Sequence, residues 1–359
     1  MSELVYEVRS RFDSPALRER YLRWLREGHV QAVVEGGALD GEVRIAPDGA
    51  VVSRYRFASP AAFAAYESGP AVALRAEGRQ LFSEGVVMER AVTERVMALS
   101  RAPLEVVPVA CLRDNYAYLL VDRDARQAVV VDPSEAAPVE TALEELGLAL
   151  TQIWCTHHHF DHVGGNEALA RVRPGLTVLG SRHDAEADHI PGQTRGLVDG
   201  DEVLFGARAF RAMAIPGHTL GALAFVGDGI AFTGDTLFSG GCGRVFEGTM
   251  SMMHGSLRRL RALPAGTRIF SGHEYTVRNL EFAAEVEPEN AAVRARLETV
   301  RRLRADDMPS VGAPLADELA TNPFLRAGEP SVRAYAARRG DARGEDEVFA
   351  RVREAKDAF

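Results

Sequence analysis

Apolar and polar residues alternate from Leu4 to Phe12, with Leu4, Tyr6 and Val8 on one side and Val5, Glu7 and Arg9 on the other; this predicts a strand. Ser14-Pro15 then opens a helix, with Ser as N-cap and Pro at the first helical position. Leu17, Tyr21, Trp24 and Leu25 fall on one face of it. After a glycine-rich stretch (Gly36, Gly37, Gly41), two strand-like runs, 41–46 and 50–58, meet at the turn Pro47-Asp48-Gly49. Ser59-Pro60 opens a second helix in the same manner, and residues 85–99 read as another strand. Strand, Ser-Pro helix and strand therefore occur twice in the first hundred residues.

The pattern changes after Arg101-Ala102-Pro103, which reads as a linker. Apolar strands are predicted at 106–109, 116–121 and 128–131, the last ended by Asp132-Pro133. A helix over 136–146 stops at Gly147, a C-cap signal. A buried-type strand, 150–155, follows, and further strands are predicted at 176–180, 202–205, 210–214, 223–226, 230–233 and 268–271. Beyond Tyr275 the strand signal ends. Residues 279–305 and 331–356 read as helices, separated by a stretch holding Pro309, Pro314, Pro323 and Pro330. This order predicts two sheets with outer helices and a helical tail.

Composition narrows the class. The formal net charge of -9 argues against nucleic acid or an anionic membrane as the main partner. No run approaches the roughly 18 apolar residues that would span a bilayer. The first dozen residues carry Glu3, Glu7, Arg9 and Arg11 and have no signal-peptide core. Cys111, Cys155 and Cys242 lie far apart and form no disulfide framework, so a reducing cytoplasm is the expected home.

The chemistry is concentrated in Thr156-His157-His158-His159-Phe160-Asp161-His162, directly after the 150–155 strand and before Gly164-Gly165-Asn166. His and Asp bind borderline or hard divalent metals, and a catalytic centre leaves a position open for water. In a loop, alternate residues project to the same side, so His157 and His159 are placed to share one metal, and Asp161 and His162 to reach a second. Asn166 is the expected cap of the next helix. Cys155 is expected to point into the core as a small apolar residue. Three further pieces each follow a strand: His218 in Pro216-Gly217-His218-Thr219, Asp235 in Thr233-Gly234-Asp235-Thr236, and His273 in Ser271-Gly272-His273-Glu274. Singly each is more often structural; together and in this order they complete a ligand set. His158 falls between ligands and is expected to face away from the metals. His183, His189 and His254 are expected at the surface or in packing. His29, the one histidine of the first unit, reads as a helix-end or surface residue. Cys242 lies beside the site but has no free base near it, which favours a structural role.

The set resembles the signature of the metallo-β-lactamase superfamily. The resemblance implies an α/β fold, an αβ/βα sandwich with the site at one edge. It implies His157, His159 and His218 at a first metal, Asp161, His162 and His273 at a second, and Asp235 bridging both. A narrower resemblance, over roughly 104–359, is to glyoxalase II, the hydroxyacylglutathione hydrolases. It rests on Leu112-Arg113-Asp114-Asn115-Tyr116, the histidine segment, Gly234-Asp235-Thr236-Leu237-Phe238, Gly241-Cys242-Gly243-Arg244-Val245-Phe246-Glu247-Gly248-Thr249, Gly272-His273-Glu274-Tyr275 and Asn322-Pro323-Phe324-Leu325-Arg326. It implies hydrolysis of S-D-lactoylglutathione to D-lactate and glutathione with two divalent ions, zinc first, iron or manganese as alternatives. Asp161 and Asp235 are the implied catalytic carboxylates. Arg244, Tyr275, Arg353 and Lys356 map onto the family's glutathione contacts. Phe246 departs from members with Tyr there, removing a hydroxyl that contacts glutathione. The implied layout is a metal-binding domain, 104–276, and a helical substrate-binding domain, 277–359. Residues 1–100 resemble the ferredoxin-like dimeric α+β barrel domains in their βαββαβ order, which makes them the expected homodimer surface. Two rivals remain at this point: a mononuclear-iron persulfide dioxygenase, which usually lacks the helical tail and the Phe-Glu-Gly-Thr segment, and a metal-bearing scaffold protein without turnover.

Overall fold

The computed structural model describes residues 3–95 and 104–359, so the predicted linker and the end of the strand predicted to reach Leu99 lie outside the described residues. The chain divides into two compact units, Met1–Ala102 and Pro103–Phe359.

In the first unit, strands β1 (Glu3–Phe12), β2 (Asp40–Ile45), β3 (Val51–Phe57) and β4 (Val86–Arg95) form an antiparallel sheet in the order β2-β3-β1-β4. Helices α1 (Pro15–Trp24) and α2 (Val30–Glu35) fill the first connection, with α3 (Pro60–Ser68) and α4 (Pro70–Leu81) in the second. Ser14 and Ser59 cap α1 and α3 as predicted, each accepting from the backbone N–H three residues on. Between α1 and α2 the chain takes a wide turn, Leu25–His29, with Gly28 at φ 150°. A residue with a Cβ rarely adopts that angle. Tyr6, Tyr55, Phe57, Phe63 and Tyr66 pack one face of the sheet against the helices.

The second unit is a two-sheet sandwich. Strands β5 (Glu105–Cys111), β6 (Asn115–Asp122), β7 (Gln127–Val131), β8 (Ala149–Trp154), β9 (Thr177–Ser181) and β10 (Arg195–Leu197) make one sheet in the order β10-β9-β8-β7-β6-β5. Strands β11 (Glu202–Phe205), β12 (Arg208–Ala214), β13 (Leu223–Gly227), β14 (Ile230–Gly234) and β17 (Arg268–Ser271) make the other in chain order, and β15 (Leu237–Phe238) and β16 (Gly241–Cys242) form a short hairpin. Trp154, Phe210, Phe225, Phe232 and Phe270 fill the space between the sheets. Helices α5 (Ala136–Leu146), α6 (Phe160–Val163), α7 (Asn166–Arg171) and α8 (Arg182–Glu186) accompany the first sheet. The metallo-β-lactamase fold predicted from the motifs is thus the fold observed.

The tail differs in detail from its prediction. The helix predicted over 279–305 is two, α10 (Thr276–Val286) and α11 (Ala291–Ala305), after α9 (Met250–Arg261). Pro288 interrupts the backbone, and Asn290 caps α11 through its side chain. The Pro-rich stretch holds a helix of its own, α12 (Leu315–Thr321). The helix predicted over 331–356 also divides, into α13 (Pro330–Ala337) and α14 (Glu345–Ala358), around Gly340 at φ 144°. Phe282, Phe324, Val348, Phe349 and Val352 share one core with Met253 and Leu257 of α9. That shared core ties the tail to the sandwich.

Candidate metal centre

Every predicted ligand sits where a strand ends at one edge of the sandwich. The edge is stitched together across the two sheets: Tyr116 N–H donates to Gly272 O at 2.9 Å and Glu274 N–H to Asp114 O at 2.8 Å. These bonds fix β6 against the turn after β17, and so fix His273 against Asp161.

The histidine segment leaves β8 as an extended turn and then closes into α6, with His159 at its N-cap. The predicted open loop is therefore partly helical, and Asp161 and His162 are set by its first turn. His157 Nε2 lies 3.2 Å from His159 Nδ1, and His218 Nε2 lies 3.0 Å from the same atom. Three imidazoles thus point lone-pair atoms at one spot. A second group forms beside it: Asp161 Oδ2 lies 3.3 Å from His273 Nε2 and 3.7 Å from His162 Nε2. Asp235 reaches both, with Oδ2 3.5 Å from His218 Nε2 and 3.3 Å from His273 Nε2, and Oδ1 3.4 Å from His162 Nε2.

Burial drives His157, His159 and His218 below the ordinary histidine value, which keeps them neutral. Burial also opposes charge on His162, but Asp235 and Asp132 outweigh it and raise its pKa. Burial opposes charge on His273 too, and hydrogen bonding to Asp161 and Asp235 carries it to about 10. The negative field that raises these two is one a divalent cation would neutralise. His162 Nε2 and Asp235 Oδ1 are buried, lie 3.4 Å from each other and form no well-shaped hydrogen bond with any group. Buried polar atoms are rarely left so. Neutral imidazoles, converging carboxylates and two orphaned ligand atoms fit a pair of divalent ions.

The supporting hydrogen bonds were not foreseen. Asp132 lies 3.1 Å from His162 Nδ1 and accepts from Thr156 N–H at 2.7 Å and Thr156 Oγ1 at 2.6 Å. Thr156 Oγ1 in turn lies 3.0 Å from His157 Nδ1. Asp114 meets His273 Nδ1 at 2.9 Å, the Arg244 carbonyl meets His218 Nδ1 at 2.8 Å, and Asn115 donates to Asp161 Oδ2 at 3.1 Å. Each outer contact fixes which ring nitrogen faces inward. Asp132 achieves this from a left-handed backbone, φ 50°. Asn166, expected as a cap, is not one: Gly165 takes that place, and Asn166 donates instead to Cys155 Sγ and the Pro191 carbonyl. Cys155 is buried, as expected.

Around the mouth, Phe246 is 62% exposed with its ring 5.2 Å from that of His218, and Tyr275 stacks on His273 at 4.7 Å. Arg244 is exposed and lies 3.5 Å from Asp357. Arg353 is only 3% exposed; it donates to the Cys242 carbonyl at 2.8 Å and pairs with Asp357 at 3.1 Å. It therefore holds the Gly241–Arg244 loop from beneath. Lys356 donates to the Arg278 carbonyl, and burial, then Arg353 and Arg278, lower its pKa to about 8. Burial raises the Cys242 thiol to about 11. A thiol so protonated is a poor nucleophile. Cys242→Ser is expected to keep kcat within about threefold of the parent; loss of turnover would assign Cys242 to the chemistry.

His158 faces away from the ligand groups, as expected, toward Asp184 at 2.9 Å and Glu247 at 3.3 Å. His189 meets the same Asp184 at 3.4 Å, and His254 stacks on Phe349 and pairs with Asp346.

The family model described as metallo-beta-lactamase superfamily matches residues 112–273, and that described as hydroxyacylglutathione hydrolase C-terminus matches 274–359. A hydroxyacylglutathione hydrolase of Gloeobacter violaceus is 50% identical over 69% of this chain and 97% of its own length. One of Cereibacter sphaeroides is 48% identical over 72% of this chain and all of its own. Among solved structures, ETHE1 from Myxococcus xanthus is 29% identical, covers 63% of this chain and 99% of its own, and has a TM-score of 0.43. With the relatives matched at about half identity across their lengths, the chain belongs to the hydroxyacylglutathione hydrolase (glyoxalase II) family of the metallo-β-lactamase superfamily.

Proposed function

We propose that this protein hydrolyses glutathione thioesters, S-D-lactoylglutathione to D-lactate and glutathione. The observation that carries the reading is the shared carboxylate: Asp235 lies within 3.5 Å of ligand atoms in both groups. We assign His157, His159 and His218 to one ion, Asp161, His162 and His273 to the other, and Asp235 to both. The nitrogen-rich set suits zinc, and iron or manganese accept the same ligands. Two such ions, when bound, make a water nucleophilic at neutral pH and polarise the thioester carbonyl.

The remaining work falls to the chain. Asn115 donates to Asp161 Oδ2, and the other oxygen, Oδ1, is placed to accept a hydrogen bond from the attacking water and aim it. The outer partners Asp114, Asp132 and the Arg244 carbonyl keep the imidazoles oriented without adjustment during turnover. The leaving thiolate is stable enough near neutral pH to depart without a dedicated acid. Phe246 and Tyr275 flank the mouth as apolar walls for the thioester arm. Arg244 and Lys356 are the cations for the glutathione carboxylates, with Arg353 positioning the loop that carries Arg244. Three unpaired cysteines suit a reducing compartment such as the cytoplasm. No helix is long and apolar enough to cross a membrane among the described residues.

Lys356 supplies a pH test. A lysine at about 8 is charged below that pH and neutral above it. KM for S-D-lactoylglutathione is expected to rise as pH climbs through 8, while KM for a small thioester without the tripeptide stays flat. Lys356→Ala is expected to raise the first KM about tenfold at pH 7 and to remove its pH dependence. An equal change for both thioesters would remove Lys356 from glutathione binding.

A further inference from the structure

The first unit contains a cavity of about 210 Å³ between the inward face of its sheet and the helices. The space is partly open to solvent, and close packing of helices on a sheet would normally fill its inner part. Its walls are aromatic, with Tyr21, Trp24, Tyr55, Tyr66 and Phe82 among them. Polar atoms also face it. Ser53 and Tyr55, at i and i+2 on β3, are each 2% exposed; their hydroxyls interact only with each other, without closing a well-formed hydrogen bond. His29 Nδ1 and Arg75 Nε are buried and unpartnered, and both residues line the cavity. His29 stands at a helix end, as the sequence implied, but is half-buried: its ring lies tilted against that of Trp24, centroids 3.8 Å apart, and burial lowers its pKa to about 4.

Satisfied hydroxyls are the rule inside proteins, and each orphan detracts from folding unless something bound satisfies it. Here four belong to residues that line one cavity. The two hydroxyls and the guanidinium Nε are hydrogen-bond donors. The charged residues lining the cavity are Arg75, Arg79 and Arg90; Glu67, which does not line it, pairs with Arg75 through Nη2 at 3.0 Å and leaves Nε free. The chemistry is that of an anion receptor set in an aromatic box. A dry cavity of about 150 Å³ accepts benzene, so this one has room for a ring bearing an acid group.

We propose that the cavity binds a small planar aromatic carboxylate, its ring among the aromatic walls and its acid group hydrogen-bonded by Ser53, Tyr55 and Arg75. The site lies wholly within the first unit and is independent of the thioesterase reading. The test is calorimetric titration of the full metal-loaded chain with benzoate and 2-naphthoate. The expected result is saturable binding, one per chain, with Kd below about 1 mM for at least one of them. Benzamide and cyclohexanecarboxylate are expected to bind at least tenfold more weakly. Tyr55→Phe and Ser53→Ala, which keep the walls, are expected to weaken the aromatic acid at least tenfold. Neither is expected to lower the unfolding temperature, because neither hydroxyl has a well-formed hydrogen bond to lose, and thioester cleavage is expected to be unchanged. No binding of either acid, or binding indifferent to both variants, would overturn the proposal and leave a hydrated cavity.

Discussion

Asp235→Ala is expected to lower kcat/KM for S-D-lactoylglutathione by at least about 1000-fold, beyond the roughly 10–100-fold that loss of an outer partner costs a metal site. The reason is the position of its two oxygens. Oδ2 faces His218 and His273, and Oδ1 faces His162. Removing them withdraws a ligand from both groups and leaves His162 and His273 close together without the carboxylate that raises their pKa. Metal content, measured on the purified variant, is expected to fall below one ion per chain. Asp235→Asn separates charge from shape: it keeps one oxygen and is expected to retain part of the metal but little turnover. A variant with two ions and near-parental rate would remove Asp235 from its bridging role.

Gly272→Ala is expected to be nearly as damaging, although it adds only one methyl group and removes no ligand. A Cβ at Gly272 would run into the Asp235 carboxylate and the His162 ring at once. Both are buried and fixed, so neither can move aside without leaving its group. The backbone of Gly272 also closes the edge of the sandwich, accepting from Tyr116 N–H and donating to Gly234 O at 3.0 Å. The expected outcome is loss of metal and of at least about 100-fold in kcat/KM, about 2.7 kcal/mol in barrier. The far-ultraviolet circular dichroism is expected to stay parental. Full activity would mean that the groups are looser than the distances imply.

The ligands were legible because Asp235 and His273 follow closely on apolar strands, and the others cluster in the turns that such strands lead into, where polar residues must be explained. The outer partners were not. Asp132 reads as the end of a strand, and its reach to His162 depends on a left-handed backbone and on a residue thirty positions away. The resemblance marks Arg353 and Lys356 alike as glutathione contacts. The structure keeps Lys356 near the loop but buries Arg353 under Cys242, a contact 111 residues distant in sequence. Asn166 had the local pattern of a cap, yet a tertiary partner, Cys155, claims it. The helix breaks near Pro288 and Gly340 were written in single residues that periodicity averages over. The cavity of the first unit was invisible for a different reason: periodicity puts Tyr21 and Trp24 on one helix face, but only packing reveals that this face and the sheet leave space between them.

The central claim is that two ions held by this donor set cleave a glutathione thioester. The most direct measurement is elemental analysis of the purified chain paired with hydrolysis of S-D-lactoylglutathione, followed as released glutathione thiol. The account predicts close to two divalent ions per chain and thioester cleavage that is lost on chelation and restored on metal return. A single iron per chain, with oxygen consumed in the presence of glutathione persulfide and no thioester cleaved, would contradict it.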